Sequence, residues 1–228
     1  AHGELPCSSC HLNTKTVPHK QTVTPEKCGT CHKEIFEEYK KSVHGKDFQS
    51  GVKEAPACKD CHGEHNIKLI NDPTSNVFYK NVPKTCTNCH EDQALIKKFH
   101  LPARPLKSYV ESFHGIATKY GKITAANCVS CHGYHDIQVS TDPSSRINPG
   151  NLVKTCGACH PDAKKYVMVG PIHSSPNVEA GRISLLTKNI YGWIIGILLL
   201  CFLAYLAHNL SGKIRRRRSQ RYLRKKEM

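Results

Sequence analysis

The chain has 228 residues, 39% of them hydrophobic, with 13 cysteines, 15 histidines and a formal net charge of +15. So thin an apolar content, on so many cysteines and histidines, excludes a large conventional core. The charge does not call for a nucleic-acid partner, because nine Lys/Arg against one Glu between Asn209 and Met228 carry +8 of it and leave +7 on everything else.

Twelve of the cysteines form six Cys-x-x-Cys pairs, and a histidine follows each pair directly. This is the attachment signature of c-type haem. The two cysteines lie one helical turn apart, so both thiols reach the vinyl groups of one porphyrin while the adjacent histidine rises toward the iron. Six covalently bound haem c groups are therefore expected, on Cys7 and Cys10, Cys28 and Cys31, Cys58 and Cys61, Cys86 and Cys89, Cys128 and Cys131, and Cys156 and Cys159. Their proximal ligands would be His11, His32, His62, His90, His132 and His160. Thioether bonds would consume all twelve thiols, which excludes a disulfide framework. Zinc ribbons combine two such pairs and need no histidine after each one. At about thirty residues per haem, the porphyrins must supply the apolar volume that side chains supply elsewhere. Their propionates, about twelve negative charges if ionised, would offset the basic residues outside the tail.

In chain order, Ala1 reads as the start of a mature chain whose leader has been removed. Residues 1–41 form an N-terminal two-haem segment. Ile35, Tyr39 and Val43, four residues apart, give a helical face leading into His44. A first two-haem repeat is assigned to 42–111 and a second to 112–180. Ser42 to Asp92 aligns with Ser112 to Asp162 at a constant offset of 70 residues, with 21 of 51 positions identical. Within the first repeat, Leu95 and Phe99 lie on a helix that runs up to His100. Pro105 suits a helix start, and Tyr109 and Phe113 lead into His114 as Tyr39 and Val43 lead into His44. No alternating strand pattern appears. Residues 181–210 hold a transmembrane helix with its flanks: Ile190 to Ala207 is an uncharged apolar run of 18 residues, about 27 Å as a helix. Tyr191, Trp193 and Tyr205 mark its interfaces, and Cys201, the thirteenth cysteine, sits alone within it. Residues 211–228 are a basic tail, cytoplasmic by the positive-inside rule, which puts the haem domain in the periplasm and the anchor, single-pass, in the cytoplasmic membrane. The fold class expected is a multihaem cytochrome c, mostly irregular with short α-helices packed around haems, plus one C-terminal transmembrane helix.

The second axial ligands decide the chemistry. Nine histidines lie outside the motifs: His2, His19, His44, His65, His100, His114, His135, His173 and His208. The duplication favours His44 with His114, and His65 with His135. His100 and His173 follow their nearest motifs at similar distances and complete a set of six, with His19 the first substitute and His2 the next. His65 and His135, three residues past a proximal histidine, should point away from the local haem and ligate another. The sequence leaves open which histidine serves which haem. Bis-histidine ligation closes both axial positions, which suits carriage of electrons and not substrate binding. With Met168 and Met228 the sole methionines, Met/His sites are rare at most.

The stretches SVHGKDFQSGVKEAPACKDCHGEH and SFHGIATKYGKITAANCVSCHGYH resemble the repeat of multihaem cytochromes c of the class III and doubled Cys-x-x-Cys-His type, common in respiratory proteins of anaerobic bacteria. The resemblance implies an electron-transfer subunit paired with a b-type cytochrome or other quinone-reactive membrane subunit. The small tetrahaem quinol dehydrogenases are similar in concept but are anchored at the N-terminus. The expectation is a membrane-anchored hexahaem cytochrome in a hetero-oligomer. It would relay electrons between that quinone-reactive partner and a periplasmic carrier such as a soluble cytochrome c, with no enzyme activity of its own. A multihaem oxyanion reductase and a haem-bearing docking subunit are the alternatives.

Overall fold

A computed structural model describes residues 2–11, 23–102, 104–166, 173 and 179–226. The chain divides into two compact units, Ala1–Ser175 and Pro176–Met228. Among the described residues the secondary structure is helical, with no strand.

In the first unit, α1 (Pro25–Gly29), α2 (Lys33–Lys41), α3 (Val43–Gln49), α4 (Cys58–His62), α5 (Val82–His90) and α6 (Gln93–Phe99) follow one another. Next come α7 (Pro105–Val110), α8 (Phe113–Lys119), α9 (Cys128–His132), α10 (Leu152–Gly157) and α11 (Ala163–Tyr166). The periodicity over Ile35, Tyr39 and Val43 predicts one helix, but the chain breaks at Ser42. Its extended backbone (φ −71, ψ 163) ends α2, and its hydroxyl then caps α3 by accepting from the Gly45 amide at 3.0 Å. The same hydroxyl donates to the Tyr39 carbonyl at 2.7 Å, so one buried serine satisfies both helix ends. Ser112 does the same between α7 and α8, with bonds of 2.6 Å to Tyr109 and 3.2 Å from Gly115. Such a break is invisible to hydrophobic spacing because the apolar face continues across it. The helix reaching His100 forms as expected: Asp92 caps α6 through the Leu95 amide at 2.9 Å, and His100 ends it in the left-handed region (φ 52).

The 70-residue offset holds bond for bond. Tyr39 donates to the Pro56 carbonyl at 2.9 Å, and Tyr109 to that of Ala126 at 3.2 Å. Asn81 donates to the Pro73 and Ser75 carbonyls at 3.0 and 2.8 Å, and Asn151 to those of Pro143 and Ser145 at 2.7 and 2.8 Å. The two copies are also joined. The Val43 amide donates to the Ile137 carbonyl at 2.8 Å, Gln138 to the Lys41 carbonyl at 2.8 Å, and Asn127 to the Tyr79 carbonyl at 3.0 Å.

These polar ties do not surround a side-chain core. Among the described residues the buried apolar side chains are Tyr39, Ala57, Val82 and Ala163, together with Pro25 and Pro83. Large apolar groups such as Phe113, Ile70 and Ile123 stand 93%, 73% and 69% exposed. At about 25 cal/mol per Å2 of apolar surface, so few buried groups cannot offset the entropy of ordering the chain.

The second unit is the helix α12 (Glu179–Lys226). Its stretch Leu185–Arg217, 33 residues holding an 18-residue window with a mean hydropathy of 2.3, is long and apolar enough to cross a membrane. Its apolar side chains, Trp193 and Leu200 among them, are exposed, and Lys213 and Arg215 to Arg217 follow on the same helix.

Gly45 and Gly115 sit where α3 and α8 pass the carbonyls of Tyr39 and Tyr109 so closely that a Cβ would overlap them. Gly115→Ala should therefore cost about 2 kcal/mol, lowering the thermal midpoint by about 6 °C. The equivalent Gly45→Ala should cost a similar amount, both read by calorimetry of the purified protein.

Candidate haem-ligand array

Each cysteine motif folds as one helical turn. The amides of His11, His32 and His160 donate to the carbonyls of Cys7, Cys28 and Cys156, all at 2.9 Å, while α4 and α9 are the third and fifth motifs themselves and α5 ends on the fourth. Two of these turns are capped by a residue of the motif. The Ala57 amide donates to Asp60 at 2.7 Å, and the Asn127 amide to Ser130 at 3.1 Å. Gly63 and Gly133 follow the third and fifth motifs at φ 88, a left-handed turn that ends the helix and sends the chain on to His65 and His135.

The imidazoles of these motifs face six other imidazoles. Ring centroids are 5.9 Å apart for His2 and His32, 6.0 Å for His11 and His65, and 6.1 Å for His44 and His90. They are 6.1 Å apart for His62 and His135, 6.0 Å for His114 and His160, and 6.1 Å for His132 and His173. The interplanar angles run from 19° to 77°. Rings in direct contact change their centroid spacing with tilt, because stacked and edge-on packing have different thicknesses. A spacing that ignores tilt indicates a spacer of fixed size. Two metal–imidazole bonds of about 2.0 Å plus the half-widths of two rings come to about 6 Å.

Each pair joins one motif histidine to one outside the motifs, and the sources alternate. The first, third and fifth motifs face a histidine from further along the chain: His65, His135 and His173. The second, fourth and sixth face one from before them: His2, His44 and His114. His44–His90 and His114–His160 obey the duplication. His62–His135 crosses from one copy to the other, where the Val43 and Gln138 bonds and the Arg146–Asp136 ion pair at 2.9 Å hold the segment after His135.

His100 does not join this array. It is exposed, with no ring against it among the described residues, and His2, facing His32, completes the six pairs instead. The signal for His2 was present in the dipeptide His2-Gly3, which repeats His44-Gly45 and His114-Gly115. His19 lies outside the described residues, and His208 is exposed on α12.

Burial sets the protonation of seven of the paired rings. It pulls His44 down to about 4, with His90 adding to the effect, and lowers His62, His90, His114, His132, His135 and His173. These rings thus favour the neutral form that a metal requires of a ligand. Neighbouring motifs also touch. The Cys28 thiol meets Cys58, and Cys86 meets Cys128, where α5 packs on α9. Cys61 feels Cys86 and Cys89, and Cys131 feels Cys156 and Cys159. The second to sixth motifs are therefore neighbours in sequence order.

A family model described as outer membrane cytochrome MtrC/MtrF-like, domains II/IV, matches residues 4–174. The chain belongs to this family. It is a multihaem c-type cytochrome, and covalently bound haem c is its cofactor. No curated protein and no solved structure matches the chain. The donor set of the cytochrome fits the group: paired thiols one turn from an imidazole, and a second imidazole facing each.

The array separates His2 from His100. Replacing His2 by Ala should convert one haem from low-spin to carbon monoxide-reactive in the reduced protein, whereas His100→Ala should leave the spectrum unchanged. Optical titration with carbon monoxide reads the difference.

Proposed function

We propose that this cytochrome is a membrane-anchored hexahaem electron relay, joining a quinone-reactive membrane partner to a periplasmic electron carrier. The observation that carries the reading is the set of six imidazole pairs. Haem c, when bound, supplies a reversible one-electron iron couple. The chain's residues do the rest. The twelve cysteines would hold the groups, and the motif histidines with His2, His65, His44, His135, His173 and His114 would bind each from its two sides. A site closed on both sides carries electrons and has no place for a substrate, which favours a relay over an oxyanion reductase. The cysteine contacts keep successive motifs side by side, so the track runs in chain order from the second motif to the sixth. Haems packed among the short helices would cover the apolar groups that the side chains leave exposed.

The helix α12 supplies the anchor in this reading. The family's description names the outer membrane, but a single apolar helix followed by Lys213 and four arginines has the charge asymmetry of a span in the cytoplasmic membrane. The tail would then be cytoplasmic and the haem-bearing unit periplasmic. One span is too few to build a four-helix haem b bundle, so the quinone pocket belongs to a partner such as a b-type cytochrome.

Haem analysis of the purified protein should give six covalently bound haems per chain, and isolation in mild detergent should bring down a quinone-reactive membrane subunit. Four haems or fewer, or rapid quinol oxidation by the isolated chain, would contradict the reading. A chain ended after Ser175 should keep its haems and leave the membrane fraction.

A further inference from the structure

Among the paired histidines, His173 is held by a distinct polar contact. Its Nδ1 lies 2.8 Å from the hydroxyl of Ser108, a buried residue of α7. That hydroxyl already donates its own proton to the Pro105 carbonyl at 2.9 Å. Ser108 Oγ is therefore the acceptor and His173 Nδ1–H the donor, which leaves Nε2 as the ring's free lone pair. The hydrogen bond thus selects the tautomer and the ring orientation together. His2 makes the contrast, since its Nδ1 is buried with no hydrogen-bond partner among the described residues.

The duplication gives this station a counterpart. Ser108 lies 70 residues after Glu38, on helices that correspond, α7 and α2. Ser108 faces His173, the partner of His132, and Glu38 is an electrostatic neighbour of His135, the partner of His62. The station thus carries a carboxylate in one copy and a neutral hydroxyl, in contact with His173, in the other.

We propose that Ser108 is a positioning residue for His173, fixing its Nε2 toward the fifth motif and holding down the potential of the iron there. The proposal rests on the relay reading, in which His173 is the second ligand opposite His132. A hydrogen bond from Nδ1–H makes the ring a stronger donor and favours ferric iron, and a carboxylate near the ring does so more strongly than a hydroxyl.

The test uses the full-length holoprotein in detergent, with haem content, a potentiometric titration and carbon monoxide binding measured on each variant. His173→Ala should open one haem to carbon monoxide. Ser108→Ala should keep all haems, raise the midpoint of one, and increase the carbon monoxide-reactive fraction of that haem about tenfold. Ser108→Thr should restore the wild-type titration, and Ser108→Glu should lower the same midpoint. Ser108→Cys, of similar size and a weaker acceptor, should shift it upward by less, and decides the matter if Ser108→Ala loses haem. If His173→Ala opens a haem but the Ser108 variants titrate as wild type, the positioning role is overturned and the ligand reading stands. If His173→Ala opens none, the ligand reading itself fails.

Discussion

Two imidazoles held about 6 Å apart, six times over, are the constraint on which the rest of this structure depends. The first unit has too few buried apolar side chains to hold itself together, yet its helices are short and its turns closely repeated. What fixes them is the convergence of distant segments on shared points. His62 and His135 lie 73 residues apart in sequence. A cross-link closing a loop of that size removes about 4 kcal/mol of unfolded-state entropy. In the relay reading, linkage through iron would have the same topology, and ligation and folding would be one process.

The alternation of histidine partners explains why the copies cannot be separated cleanly. Each even motif faces a histidine from before it, and each odd motif one from beyond it. Copy boundaries drawn from the alignment therefore cut through histidine pairs. The bonds of Val43, Gln138 and Asn127 across the joint are the local means of delivering His135 to its place. The N-terminal segment follows the same plan with His2-Gly3 in place of His44-Gly45, and Glu64, Asn66 and Lys68 help to line a cavity with His2 and Gly3.

Much of this was legible in the sequence because covalent chemistry is local. The six motifs, the repeat offset and the apolar run before the arginines are patterns of adjacent residues, and the helical class followed from the absence of alternation. The exchange of His100 for His2 was less legible. Distance from the nearest motif is a poor guide when ligands cross between copies, and the left-handed end of α6 sends His100 to the surface. The break at Ser42 was hidden because spacing of Ile35, Tyr39 and Val43 is blind to a capping serine. Ser108 was hidden for another reason: its role depends on a histidine 65 residues away.

The most direct test of the central claim is near-infrared magnetic circular dichroism of the fully oxidised, full-length protein, in which the charge-transfer band of ferric haem reports its axial pair. The account predicts bis-imidazole bands whose summed intensity corresponds to six haems, with no high-spin signal. A substantial high-spin band, or intensity for fewer than six bis-imidazole centres with all haems present, would contradict it.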